Sequence, residues 1–255
     1  MANYDILGNI AILKFNKKTK REKKRKMADK FLKEHKSVST ILEKTGKFSG
    51  RLRKQKTNYL AGEKTKEALY KENDCIFRLN IDTCYFSPRL SSERKEIAEK
   101  IKKGENVLVL FGGVAPYVII IAKQKKAKKI TSIEISKECN KYAKENIKRN
   151  NAKVELIQGD VRKVLPNLNE KFDRILMPRP NLKDSFLDVV FPKVKKNGII
   201  HYYGFEHEKG LSKLKELILK EAKKAKRKIK IEKIKKAGEI APYKFRYRAD
   251  IKVLN

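Results

Sequence analysis

A glycine-bearing loop, FGGVAPY, comprises Phe111, Gly112, Gly113, Val114, Ala115, Pro116 and Tyr117 and lies between the apolar runs Val107–Leu110 and Val118–Ala122. Gly112 and Gly113 let a ligand approach the backbone closely and permit positive φ. At the carboxyl end of a buried strand, such a loop lies where doubly wound sheets bind ligands. Its spacing is neither G-x-G-x-x-G nor the P-loop, which also requires a Lys-Ser/Thr pair. Taken alone it is a weak signal, with a tight structural turn as the alternative. Glu134, at the end of the next strand and about 20 residues on, can accept both hydroxyls of a ribose. Asp160, ending the third strand, is placed to meet an adenine amino group. Loop, ribose acid and adenine acid together point to a nucleoside cofactor without a phosphate cradle, S-adenosylmethionine.

Other reactive side chains offer less. Cys75, Cys84 and Cys139 are widely spaced and lack His or Cys neighbours at ligand spacing, so neither a disulfide framework nor a zinc site is expected. No metal is expected. His35, His201 and His207 are scattered, and His201, within an apolar run, reads as a hydrogen-bonded core histidine. No serine or cysteine nucleophile has a supporting triad.

The elements that must position the loop and its acids follow a strand–helix rhythm from about Glu93. Strands are expected at Asn106–Phe111, Lys129–Ile135, Val154–Gly159, Asp173–Met177 and Ile199–Phe205. Helices are expected at Val118–Lys123, from a Ser136 cap to Asn150, at Leu182–Lys195 and at Glu208–Lys226. Lys228–Lys235 and Lys244–Leu254 break the alternation as a closing pair. There, Phe245 and Tyr247 are expected in the core, with Arg246 and Arg248 on the surface. The fold class is therefore α/β, a doubly wound, mainly parallel sheet with an antiparallel C-terminal edge. Residues 84–255 form this domain.

Residues 1–83 read as a small α+β domain. Tyr4–Phe15 is a strand pair around Gly8-Asn9, and Lys14–Lys36 contains a basic amphipathic helix with Met27, Phe31 and Leu32 on its apolar face. Short strands follow at Val38–Leu42, Arg51–Lys56, Glu67–Tyr70 and Cys75–Ile81, with turns at Lys47–Gly50, Ala61-Gly62 and Asn73-Asp74.

The 255-residue chain carries 65 Lys+Arg against 30 Asp+Glu, a net charge of +35. Such an excess self-repels unless an anionic partner neutralises it, which favours nucleic acid. The competing origin is composition, since Lys outnumbers Arg 51 to 14. Charge is densest at Lys14–Lys36 (net +9) and Lys220–Lys236 (net +8). The longest uncharged run, Val107–Ala122, has 16 residues and is broken by Gly112-Gly113 and Pro116, too short and too punctuated for a membrane span. No signal peptide is visible, and a soluble, cytoplasmic monomer is expected.

Within Tyr85–Arg94, the run YFSPRLSSER resembles the signature YFSPRLxxER of archaeal-type tRNA (guanine-37, N1) methyltransferases. The resemblance extends through the glycine loop, Phe172–Met177, Ile200–Tyr203 and Ala241–Tyr243, and back to YDILGNIA at the amino terminus. It implies a Rossmann-like class I methyltransferase domain preceded by a small domain, using S-adenosylmethionine on the base 3′ to the anticodon of a tRNA. Longer relatives carry a further amino-terminal domain, for which this chain is expected to start too late.

The resemblance assigns roles. N1 of guanine carries a proton, so methyl transfer needs a base and a donor for the charge developing on O6. Glu93 corresponds to the base and Arg53 to the O6 donor. Unaided, Glu93 reads as readily as a first-turn helix carboxylate, and Arg53, within RLRKQK, reads better as a phosphate contact. Tyr85 and Arg89 are expected to flank the flipped base, and Arg94 to lie at the cofactor. Two departures stand out. Val109, in the strand before the glycine loop, occupies a position usually acidic, and Ala115 one where Gly is usual. Pro178, Arg179 and Pro180 replace an Asn-Leu-Pro whose Asn positions the guanine. Pro178 supplies no donor, while Arg179 offers a cationic contact. The rival readings are a bifunctional enzyme that also methylates carbon 7 of a tricyclic wyosine-type guanosine, an aminocarboxypropyl transferase, and a non-catalytic RNA-binding derivative. Relatives that transfer the aminocarboxypropyl group lack the Pro-Arg-Leu run present at Pro88–Leu90.

Overall fold

The computed structural model describes residues 3–46 and 50–255. Strands β1 (Asn3–Leu7) and β2 (Ile10–Lys14) pair antiparallel around Gly8-Asn9. Helix α1 (Arg21–Glu34) crosses over to β3 (Thr40–Lys44), parallel to β2, and β4 (Thr57–Gly62) closes the four-stranded mixed sheet antiparallel to β3. Ala28, Phe31 and Leu32 of α1 pack on Ala11, Ile41 and Leu60, leaving most of its lysines to solvent. Apolar spacing thus decides which face of a strongly basic helix is buried.

The strand expected at Arg51–Lys56 is mainly a turn, and the expected turn at Ala61-Gly62 is the end of β4. Gly50 and Arg53 adopt positive φ (68° and 51°), which an extended strand does not allow. Most of the expected turn Lys47–Gly50 lies outside the described residues. The hairpin β5 (Glu67–Glu72) and β6 (Cys75–Asn80) turns at Asn73-Asp74, both at positive φ (46° and 57°). It packs on the larger unit. The Asn146 and Asn150 side chains accept from the backbone N–H groups of Arg78 (2.7 Å) and Ile76 (2.9 Å).

The larger unit runs α2 (Ser91–Glu99), β7 (Asn106–Leu110), α3 (Pro116–Lys123), β8 (Lys129–Glu134), α4 (Lys137–Arg149), β9 (Glu155–Gln158), α5 (Val161–Val164), β10 (Phe172–Met177), α6 (Leu187–Val190), β11 (Val194–His207), α7 (Leu211–Lys224), β12 (Ile229–Ala241) and β13 (Lys244–Val253). The seven strands are ordered β12-β13-β11-β10-β7-β8-β9. The pairs from β9 to β11 are parallel, while β13 is antiparallel to β11 and β12. This is the expected doubly wound sheet with an antiparallel edge. Ser136 caps α4 by accepting from the Cys139 N–H (3.2 Å).

The helix expected over Leu182–Lys195 contracts to α6 and a following 3₁₀ turn. Phe186 enters α6 at φ 60°, with the Asp184 carboxylate accepting from its N–H (2.9 Å), and Pro192 interrupts the far end. Both sheet faces are covered, one around Phe172, Phe191 and Ile200, the other around Ile97, Val109 and Ile119. Among the described residues, no helix is long and apolar enough to cross a membrane.

Candidate active site

The strand order reverses at β7. From there the chain proceeds to β8 and β9 on one side, while β10 and β11 lie on the other. A crevice at the carboxyl ends of strands follows from that reversal. The cavity found there is floored by Phe111–Gly113 after β7, Glu134–Ser136 after β8 and Pro178–Pro180 after β10, and roofed by Arg51–Arg53 and Tyr85–Ser87.

Gly112 is pressed against β8, where a Cβ would meet Ser132 Oγ at 2.1 Å. Gly113, at φ 56°, has an open flank, and its N–H donates to Glu134 Oε2 (2.8 Å). Glu134 Oε1 accepts from the Ser136 N–H (2.7 Å), so one carboxylate fixes the loop and faces the cavity. Burial pushes that carboxyl up, partly offset by the amide donors. Each carboxylate oxygen has two lone pairs, leaving capacity for ribose hydroxyls. The loop and acid therefore fit a nucleoside group. Phe111, Pro116 and Tyr117 also border the cavity, whereas Val114 and Ala115 are buried behind it.

Not every expected contact faces this space. Asp160 Oδ2 pairs with Arg51 (2.9 Å), and its Oδ1 accepts from the Arg162 N–H (3.0 Å), capping α5. Asp160 thus holds the Arg51–Arg53 turn onto the larger unit. Arg94 borders the cavity, but its guanidinium is bound to Glu72 (Nη2 at 2.6 Å) and to the Ser87 carbonyl (3.0 Å). Arg179 is buried and donates to the Tyr202 hydroxyl (3.1 Å) and to the Pro180 and Leu182 carbonyls (3.1 and 2.9 Å), which shapes the Pro178–Pro180 loop. Arg89 is largely exposed, pairs with Asp5 (2.9 Å) and borders an adjoining cleft with Lys14 and Lys44.

Arg53, Tyr85 and Arg246 border both the cavity and this cleft. The Arg53 guanidinium lies 4.5 Å from the Tyr85 ring centroid. Burial raises the Tyr85 phenol, but the hydrogen-bonded Arg246 and neighbouring Arg53 outweigh it and hold the group below its ordinary value. Arg246 was expected on the surface. It is half-buried, over the Phe205 ring (5.3 Å).

Arg248, also expected on the surface, is fully buried, because α2 covers that face of β13. It donates to Glu93 (2.6 Å), Glu96 (2.7 Å) and Asp250 (2.8 Å). Glu93 is buried and does not border the cavity. Its Oε1 accepts from the Tyr203 hydroxyl (2.7 Å), and its Oε2 lies 3.2 Å from Lys235 Nζ. Tyr203 and Tyr117, whose hydroxyls are 3.3 Å apart, do border the cavity. Burial, then Tyr117 and Glu93, push the Tyr203 phenol well up, so it is neutral.

His201 is the expected core histidine. Its Nδ1 faces Asp250 (2.7 Å) and its Nε2 faces Arg174 Nη1 (2.7 Å). Arginine only donates, so Nε2 accepts, Nδ1–H donates and the ring is neutral. Burial lowers its pKa accordingly.

Comparison with known proteins agrees with this architecture. Residues 68–232 match the family described as the TRM5/TYW2 methyltransferase domain, and residues 1–65 match the TYW2 N-terminal domain. The chain is 34% identical to tRNA (guanine(37)-N(1))/4-demethylwyosine(37)-methyltransferase Taw22 of Nanoarchaeum equitans, over 98% of this chain and 99% of that protein. The crystal structure of Trm5b from Pyrococcus abyssi superposes with TM-score 0.88 at 31% identity, covering 99% of this chain and 75% of that one. A complex of aTrm5 with tRNALeu superposes at 0.86 with 27% identity, covering 99% and 72%. The glycine loop, its acid and the Tyr85–Arg94 strap thus sit in a fold shared along almost the whole chain, which belongs to the TRM5/TYW2 methyltransferase family.

Proposed function

We propose that this protein methylates the purine at position 37 of tRNA, using S-adenosylmethionine, with N1 of guanosine as the acceptor. The observation that carries this reading is the cavity shared by the two units, with the Gly112–Glu134 cradle on its floor and Arg53 stacked on Tyr85 at its roof. When bound, S-adenosylmethionine supplies an electrophilic methyl group. Glu134 holds the ribose hydroxyls, and Phe111, Pro116 and Tyr117 give the cradle apolar walls. Tyr85 offers its face to a base entering from the Lys14–Arg89 cleft, and Arg53 stabilises the charge that grows on O6.

Glu93 is the base. The N1 proton passes to the Tyr203 oxygen as the Tyr203 proton moves to Glu93 Oε1, so the phenol stays neutral and Glu93 ends protonated. The basic faces of α1 and of Lys220–Lys236 supply docking to the anticodon stem-loop, and affinity falls steeply with salt.

A second reading is favoured by the Pro178–Pro180 loop, whose guanidinium is engaged by Tyr202 and loop carbonyls, and by the likeness to Taw22. The same site would then also methylate carbon 7 of a tricyclic guanosine. The test uses transcripts with guanosine or adenosine at position 37 and a tRNA bearing the tricyclic base, with nucleosides read by mass spectrometry. Methyl transfer to N1 of guanosine alone supports the first reading, and products on both guanosine and the tricyclic base support the second. Equal methylation of guanosine and adenosine overturns both. Glu93→Gln is expected to slow single-turnover transfer by about 100-fold or more. An unchanged rate removes Glu93 from the chemistry.

A further inference from the structure

Cys84 and Cys139 take no part in the chemistry above, yet their Sγ atoms lie 2.8 Å apart. They come from different parts of the fold. Cys84 immediately precedes Tyr85 in the strap joining β6 to α2, and Cys139 lies in the first turn of α4, just after Glu134 and Ser136. Both are buried, and Cys139 borders the cofactor cavity while Cys84 borders the adjoining cleft. Cys75 is buried in β6 within the Ile97–Ile119 core. The sequence spacing suggested no disulfide, because 55 positions separate two residues that only the fold brings together.

We propose that Cys84 and Cys139 form a dithiol–disulfide site, oxidised by small-molecule disulfides of the glutathione class, that fastens the Tyr85 strap to the helix following Glu134. The two sulfurs are prepared for different tasks. Cys139 sits at the amino-terminal end of α4, where backbone N–H groups favour a thiolate. The hydrogen bond with Cys84 holds Cys139 below the ordinary thiol value against the opposing effect of burial, while the same contact and burial push Cys84 up. Cys139 thiolate attacks one sulfur of the small disulfide, forming a mixed disulfide and expelling a thiolate. Cys84 gives its proton to the departing thiolate, and its sulfur attacks Cys139 Sγ, expelling the second small thiolate, which takes from solvent the proton that Cys139 had released. Two protein thiols become one disulfide, and the small disulfide is reduced to two thiols.

The site goes beyond the methyl-transfer reading and is tested without an activity assay. The full chain is equilibrated with oxidised glutathione, quenched in acid, alkylated under denaturing conditions and mapped by peptide mass spectrometry. A Cys84–Cys139 linked peptide with Cys75 alone alkylated is expected. Three alkylated cysteines, or a link through Cys75, overturn the proposal. Under the same conditions, Cys84→Ser is expected to accumulate a glutathione adduct on Cys139, with Cys139→Ser leaving Cys84 unmodified. The reverse pattern overturns the assigned order of attack. The oxidised chain should also melt roughly 5–10 °C above the reduced one. Identical melting overturns the fastening role.

Discussion

Arginine is used in two ways on opposite sides of Tyr203. Beneath it, Arg248 is surrounded by Glu93, Glu96 and Asp250, and Arg174 is bound by Glu105 and His201. Above it, the guanidinium groups of Arg53 and Arg246 lie against the rings of Tyr85 and Phe205. Carboxylates neutralise the first set inside the fold. Aromatic faces position the second set at the cavity wall. The same side chain either closes the interior or lines the cavity, according to what lies beside it.

The largest expected effect breaks the lower set. Arg248→Met leaves Glu93 and Asp250 buried without their shared partner and should cost about 3–5 kcal/mol in urea unfolding. A loss below about 1 kcal/mol would mean that Lys235 and His201 already compensate those carboxylates. On the upper side, Arg53→Lys keeps the charge but loses the planar stacking group. It should lower single-turnover methyl transfer by about 100-fold while leaving the urea midpoint in place. Equal losses of rate and stability would erase the distinction between the two sets.

Acid tests the lower set further. Burial alone would raise Glu96 and Asp250, but hydrogen bonds from Lys235 and Arg248 to Glu96, and from His201 and Arg248 to Asp250, hold each at about 2. Their folded values lie below the ordinary 4.5 and 3.8. The stabilisation is therefore complete above about pH 4.5 and is lost as pH falls toward 2, where the unfolded chain binds more protons. His201, lowered from 6.5, adds a gentler decline beginning below about pH 6.5. Urea midpoints from pH 7 to 3 should trace both slopes, and Arg248→Met should flatten the steeper one. A parallel curve for the variant would place the acid sensitivity elsewhere.

Much of the upper region was legible in the sequence, because backbone-shaping residues mark it. Gly112-Gly113 and Glu134 meet as expected, since strand order alone brings the ends of β7 and β8 together. The lower region was not. Alternation along β13 separates Phe245 and Tyr247 from Arg246 and Arg248, but says nothing of whether α2 covers the arginine face. The one available hint was Glu93 and Glu96 sharing a face of α2, a pair able to receive a buried guanidinium. Tyr203 and Arg246 carry no sequence signal either, as a tyrosine in a buried strand and an arginine near the carboxyl end look like ordinary packing and surface. Arg51–Lys56 read as a strand because its pattern records side-chain type, whereas its turn serves to place Arg53 over Tyr85.

The smallest expected effect concerns backbone rather than charge. Arg53, Phe111 and Ala115, all at or behind the cavity wall, have φ of 51°, 57° and 70°, in the left-handed region that side chains disfavour. Ala115 offers the cleanest measure of that strain, since its methyl is its only side chain. The left-handed conformation costs roughly 1–2 kcal/mol for a residue with a Cβ. The methyl is buried in the Ile97–Ile119 core, and removing it forfeits about 0.8 kcal/mol. Ala115→Gly should therefore raise the unfolding free energy by only about 0.2–1.2 kcal/mol, the difference between the two. A loss of about 1 kcal/mol or more would show that the methyl's packing outweighs the strain. A gain, together with unchanged cofactor affinity by calorimetry, would show that the chain tolerates alanine at this turn at a cost borne by stability, with the cradle's geometry held by the Gly113–Glu134 hydrogen bond.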